Sequence, residues 1–244
     1  MIKARFSPSL MTMDLDMFKE QISFLNGKVD SYHIDIMDGH YVPNITLSPW
    51  FVEQVKKISN VPISTHLMVT NPSYWVDQLI KIGSEYICVH AEVMNGIAYR
   101  LINKVQDAGL KFGVVLNPET KIEEIYPYID MVDKITIMTV DPGFAGERFI
   151  DSTLIKIKEL KVLREEKFYD YQIEMDGSSN RKTFEKIQKV NPDIYIVGRS
   201  GLFGLNEDIK CAWNQMIKDF NEAKSKLYSV IVVMNFLRLS KYKS

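Results

Sequence analysis

The sequence predicts a single (β/α)8 barrel, on three observations. Eight short apolar, β-branched runs alternate strictly with eight helical stretches. The connections between them are short, and strict alternation implies parallel strands. The chain has 244 residues, a length that one α/β barrel routinely fills. An open doubly wound sheet is the rival, but no G-x-G-x-x-G follows any run, so a dinucleotide fold loses support.

In chain order, residues 4–10 (ARFSPSL) read as the first strand and 14–27 as a helix with a glycine stop. Residues 30–37 are strand two, 48–59 a helix, and 61–69 strand three. The helix at 71–83 opens on Asn-Pro and closes on Gly83. Strand four is 85–92, its helix 96–109, and strand five 111–118. A short helix covers 119–129, strand six is 133–140, and a long helix covers 151–167. Strand seven is 171–177, its helix 180–190, strand eight 193–198, and the last helix 206–226. The barrel domain is thus 1–226. Residues 227–244 form a C-terminal extension, apolar and then basic, that reads as a peripheral strand, helix or appendage without a site-like cluster.

Composition narrows the function classes. Hydrophobic residues make up 46% and charged residues 25%, an ordinary soluble pattern. Thirty Lys and Arg against 31 Asp and Glu leave a net charge of −1, with no basic run to favour nucleic acid. The two cysteines, Cys88 and Cys211, do not form a disulfide framework, and a reducing cytoplasm is the simpler expectation. The N-terminus lacks a signal-peptide core, and no stretch approaches the roughly 20 apolar residues of a membrane helix, so no membrane partner is expected.

Chemistry in such a barrel sits at the C-terminal ends of the strands. The stretch HIDIM places His33, Asp35 and Met37 on one face of strand two. His66 lies near the end of strand three and Asp176 at the end of strand seven, while Ser9 ends strand one and His90 ends strand four. A carboxylate on an apolar strand is costly unless paired or metal-bound. His33, Asp35, His66 and Asp176 therefore make an N2O2 site for one divalent ion, which zinc, iron, manganese, cobalt or magnesium would suit. His90 has no partner at matching spacing and reads as hydrogen-bonded scaffold. Neither cysteine ends a strand, so thiolate ligation is not expected.

Glycine-rich loops follow the last three strands: DPGFAGERF, DGSSN and GRSGLF. Glycine lets backbone N–H groups approach an anion. The loops after strands seven and eight are a frequent phosphate site in this barrel. Gly177, Ser178, Gly198, Arg199 and Ser200 would form it, with Gly143, Phe144, Ala145 and Gly146 folding over. Arg199 reads either as an added charge on the phosphate or as a solvated surface residue.

A phosphate anchor beside a metal held by two aspartates implies a phosphosugar gripped by its tail. The ion would bind a carbonyl and the neighbouring hydroxyl oxygen and stabilise an enediolate. Asp35 and Asp176, from strands far apart around the ring, would work on opposite faces of the reacting carbon, one removing and one returning a proton. Inversion at that carbon results. Met37 stands where a decarboxylase of similar fold places lysine in a D-x-K-x-x-D pattern, and a thioether donates no proton. No lysine lies near a strand's C-terminal end, which disfavours Schiff-base aldolase chemistry. Met37, Met68 and Met138 read as core packing or as a polarisable cap over the enediolate. A metal-dependent hydrolase would want an H-x-H pair on strand one and a bridging lysine, and both are missing. A non-catalytic sugar-phosphate binder would have no use for two intact aspartates.

The segments SPSLMTMD, HIDIMDGHYVPNITLSP, HLMVTNP, VVLNPET, MTVDPGFAGERFI, MDGSSN and GRSGLF resemble the ribulose-phosphate 3-epimerase family, over roughly residues 7 to 203. The resemblance implies a (β/α)8 barrel, a divalent metal and epimerisation at C3 of a ketose phosphate. It implies His33, Asp35, His66 and Asp176 as ligands, and Asp35 and Asp176 as acid and base. Ser9 and His66 would touch substrate oxygens, the glycine loops the phosphate, and the three methionines the enediolate. It also implies a homo-oligomer. Ribulose-5-phosphate enzymes typically resemble TIGP, NPGFGGQ, DGGI and GSAIF. Here stand TLSP, DPGFAGE, DGSS and GRSGLF, which look more like the D-allulose-6-phosphate 3-epimerase branch. Arg199 departs from both patterns.

Overall fold

The computed structural model describes residues 4–240, with side chains as far as residue 227. Eight strands follow the ring order β1-β8-β7-β6-β5-β4-β3-β2, all neighbours parallel. They are β1 (Arg5–Pro8), β2 (Tyr32–Met37), β3 (Ile63–Met68), β4 (Tyr86–His90), β5 (Lys111–Leu116), β6 (Lys134–Met138), β7 (Gln172–Asp176) and β8 (Ile194–Val197). A parallel bridge between Ser9 and His33 joins β1 to β2 and brings the ring almost to closure. The predicted (β/α)8 barrel is the fold observed.

Among the described residues, seven α-helices surround the ring: α1 (Phe18–Leu25), α2 (Pro49–Lys56), α3 (Pro72–Ile82), α4 (Ala98–Asp107), α5 (Leu154–Lys167), α6 (Phe184–Val190) and α7 (Ile209–Ser240). Strands buried on both faces need near-continuous apolar sequence, which is why these runs read so clearly. α3 shows the local logic: proline at its start fixes φ where an N–H is not needed, and Gly83 ends it at φ 76°.

Two elements differ from expectation. The stretch expected as a short helix over 119–129 is a 3-10 segment, Ile122–Met131, kinked at Tyr128 next to Pro127. Proline has no N–H to donate and blocks a regular α-helix there. GRSGLF, read from the sequence as a glycine-rich loop, folds Arg199–Phe203 into one wide helical turn. The backbone of α7 continues past residue 226 to Ser240. The side chains of residues 228–240, and all of 241–244, lie outside the described residues, so the character expected of the tail lies there too. Among the described residues no helix is long and apolar enough to cross a membrane.

The barrel interior is unusually polar for a packed core. At its N-terminal end, Lys134 and Glu174 form a fully buried ion pair at 3.0 Å. Ser64 accepts from Lys134 at 3.0 Å, and the Tyr86 ring lies 4.1 Å from the ammonium. Thr136 donates to Glu174 at 2.9 Å. The layer above, at the C-terminal end, carries the histidines and aspartates.

Candidate active site

Strand register assembles the centre. Asp35 pairs with His66 across β2 and β3, and Met37 pairs with Met68 one step above. Asp176 pairs with Met138 across β6 and β7. The two aspartates sit three strands apart around the ring. Their side chains nevertheless converge, because an eight-stranded barrel is narrow enough for inward groups to meet.

His33 Nε2 lies 3.1 Å from Asp35 Oδ1, 3.3 Å from His66 Nδ1 and 3.5 Å from Asp176 Oδ2. His66 Nδ1 lies 3.2 Å from Asp35 Oδ1 and 3.5 Å from Asp176 Oδ2. All four ligand atoms fall within 4.8 Å of one another. A tetrahedron with arms of 2.0–2.1 Å, the zinc–nitrogen and zinc–oxygen range, has edges of about 3.3 Å. The five distances bracket that value, and the Asp35 and Asp176 oxygens lie within 4.8 Å of each other, so the four residues could gather round one divalent ion. His33, Asp35 and His66 are buried, and the Asp176 side chain is 15% exposed. Asp176 is thus the open wall of the cluster.

Electrostatics agree with a cation site. Burial alone would push Asp35 up, yet the His33 and His66 imidazoles beside it, by charge and hydrogen bond, hold it well below the usual carboxylate range. Burial lowers His66, but Asp176 and Asp35 more than offset it and raise it to about 9. His33 is raised in the same way, by Asp35 first and Asp176 after. The carboxylates thus make this point favourable for positive charge. Ser9 donates to Asp35 Oδ2 at 2.7 Å and fixes the carboxylate plane.

Met37, Met68 and Met138 are each nearly inaccessible and line the cleft above the cluster. The cleft extends to Ser9 and to the loops at Gly143, Phe144, Ala145 and Gly146, at Gly177 and Ser178, and at Gly198, Arg199 and Ser200. Every residue read from the sequence as binding substrate, except buried His66, lines this one cleft. The loops are tied together: Ser178 donates to the Glu147 carbonyl at 2.7 Å, and Asn180 to Ser200 Oγ at 3.0 Å. Asn44 donates to the Gly143 carbonyl at 2.7 Å, which links the β2 loop to the β6 loop. Gly177 sits at φ 120°, and a Cβ there would stand 2.7 Å from Val140 and 2.9 Å from Thr139 Oγ1. Only glycine fits this approach.

Met11, Thr12, Val140, Glu147 and Ser179 also line the cleft and were not singled out from the sequence. His90, read from the sequence as hydrogen-bonded scaffold, reaches one of the site histidines. Its Nε2 lies 2.8 Å from His66 Nε2, and its Nδ1 lies 3.3 Å from Glu92 Oε2. Burial, only partly offset by Glu92, lowers its pKa to about 4. The H-x-E spacing at 90–92 was the available signal.

The sequence pattern described as the Ribulose-phosphate 3 epimerase family matches residues 5–203. The chain belongs to the ribulose-phosphate 3-epimerase family. A ribulose-phosphate 3-epimerase of Bacillus subtilis (strain 168) is 37% identical over 205 residues, covering 83% of this chain and 94% of that one. The chloroplastic ribulose-5-phosphate-3-epimerase of Arabidopsis thaliana is 35% identical over 203 residues, covering 82% and 72%. Family membership makes the chain an isomerase, an epimerase by class. Among solved structures, 3-hexulose-6-phosphate synthase from Salmonella typhimurium superposes with a TM-score of 0.64 at 14% identity, covering 90% of this chain and 99% of that one. That likeness is one of fold.

Proposed function

We propose that this family member inverts C3 of a phosphorylated ketose, and that its substrate pair is D-allulose 6-phosphate and D-fructose 6-phosphate. The supporting observation is the meeting of Asp35 and Asp176, from distant strands, at one cluster under a glycine-lined cleft. One carboxylate takes the C3 proton, and the other returns a proton to the opposite face. His33, Asp35, His66 and Asp176 would hold a divalent ion, which would supply positive charge to stabilise the enediolate. Ser9 holds Asp35 in orientation through its 2.7 Å hydrogen bond. Met37, Met68 and Met138 exclude water from the reacting carbon. Backbone N–H groups of the loops after β6, β7 and β8 bind the phosphate, and the Arg199 guanidinium adds charge there.

The hexose assignment rests on where the chain departs from the pentose pattern. Of those departures, Asp141, Ala145, Glu147, Ser178, Ser179 and Arg199 line the cleft, whereas Leu47 and Ser48 do not. A six-carbon substrate places one more CHOH between reacting carbon and phosphate, so the phosphate-side loops must change to admit it. Epimerisation of D-ribulose 5-phosphate to D-xylulose 5-phosphate is the second reading, favoured by the names of the relatives. Measuring kcat/KM on both substrates decides. We expect at least about tenfold preference for the hexose phosphate, equivalent to roughly 1.4 kcal/mol of transition-state binding. Equal or better turnover of the pentose overturns the hexose assignment and leaves the epimerase.

A further inference from the structure

We propose that His90 and Glu92 are positioning residues that lock His66 in the one tautomer able to ligate a metal ion. The inference deepens the cation reading of the His33, Asp35, His66 and Asp176 cluster and rests on it.

The His66 and His90 ring planes are inclined by only 26°, with centroids 4.9 Å apart. Their Nε2 atoms are 2.8 Å apart, so the rings meet edge to edge. Two ring nitrogens at that distance share one proton: two N–H groups would collide and two lone pairs would repel. If the proton belongs to His90, then His66 Nε2 is bare and its N–H sits on Nδ1, aimed at the cluster. That arrangement forbids ligation. If it belongs to His66, then Nδ1 presents a lone pair to the ion, and His90 must carry its own proton on Nδ1.

Glu92 selects the second arrangement. Its Oε2 lies 3.3 Å from His90 Nδ1, aligned too poorly for a hydrogen bond, but close enough that the carboxylate charge favours an N–H there and repels a lone pair. Glu92 is itself fixed from two loops, those after β2 and β5. Tyr41 OH donates to its Oε2 at 3.2 Å, the Asn117 N–H to its Oε1 at 3.2 Å, and the Thr120 hydroxyl closely to the same oxygen. Asn117 Nδ2 donates to Tyr41 at 2.8 Å, and the Tyr41 ring packs 4.7 Å from that of His90. Bonded carboxylate–histidine pairs behind a ligand histidine commonly set ligand tautomer and basicity. His33 has no such support among the described residues, since its buried Nδ1 has no hydrogen-bond partner.

The test is Co2+ affinity, read by competition with a chromogenic chelator and by the visible spectrum of bound Co2+, in the full-length chain. His90→Leu removes the acceptor for His66 Nε2–H. His90→Gln replaces it with an amide oxygen at a similar reach. Glu92→Gln keeps the shape but removes the charge. We expect His90→Leu to weaken Co2+ by about 10- to 100-fold, the usual cost of losing such a partner. His90→Gln recovers most of that loss, and Glu92→Gln loses several-fold. A folded His90→Leu variant within twofold of the parent overturns the proposal, as does a His90→Gln variant as weak as His90→Leu, which marks a merely structural role. Should His90→Leu fail to fold, Glu92→Gln decides, and unchanged affinity there overturns it. A parent chain that takes up no Co2+ removes the cation reading and this inference together, whereas a parent that binds while all variants match it removes the inference alone.

Discussion

Asp35 and Asp176 share a cluster but not an environment. Asp35 is buried, hydrogen-bonded to Ser9 and flanked by both histidines. Asp176 stands at the edge, partly open to the cleft. Asp176→Asn keeps size and polarity but cannot accept a proton. We expect kcat to fall about 10²- to 10⁴-fold, the usual worth of one acid/base group, with the thermal melt little changed. A fall of less than tenfold, by initial-rate measurement, contradicts the role. These residues were legible because period-two alternation puts chemistry-bearing side chains on one strand face. His90 was not legible as a partner, because the atom it meets, His66 Nε2, comes from a neighbouring strand that sequence spacing does not reveal.

Among the elements, the loop after β2 is ordered by one carboxylate. Asp38 accepts from the N–H groups of His40 at 2.8 Å, Tyr41 at 2.9 Å and Thr70 at 2.8 Å, and from the Thr70 hydroxyl at 3.0 Å. Slight burial pushes its pKa up, but these donors win and hold it at about 2, below its ordinary 3.8. A depressed carboxylate contributes stability that is complete above its unfolded value and lost as pH falls through its folded one. We therefore expect the parent to lose stability between pH 5 and 2 relative to Asp38→Asn, by about 1 kcal/mol once solvent screening is allowed for. Parallel melting-temperature curves for the two proteins over that range contradict the assignment. Prolines and glycines made most element ends legible, as at Pro72 and Gly83. The 119–129 stretch misled because its apolar spacing suits a helix, while Pro127 inside it blocks the regular hydrogen bonds.

Across the whole molecule, alternation of apolar runs with helical stretches was enough to define the barrel, since each parallel strand needs a helix to return the chain. The polar layer at the barrel's N-terminal end was invisible in the sequence. Lys134 opens β6, where a charge normally reads as solvent-facing, and its partner Glu174 sits mid-way along the neighbouring β7, a pairing that sequence spacing does not reveal. Glu174→Gln leaves the Lys134 ammonium buried without its counter-charge, which costs about 3–5 kcal/mol. Urea unfolding should show this as a lower midpoint with unchanged slope, and a midpoint equal to the parent's contradicts it. Above that layer the closed ring brings β2, β3 and β7 to one point, and the account depends on what happens there. The most direct measurement is proton NMR of each ketose phosphate in D2O with metal-loaded protein. The account predicts deuterium at C3 and the appearance of the second epimer. Retention of the C3 proton, with a single epimer throughout, would contradict it.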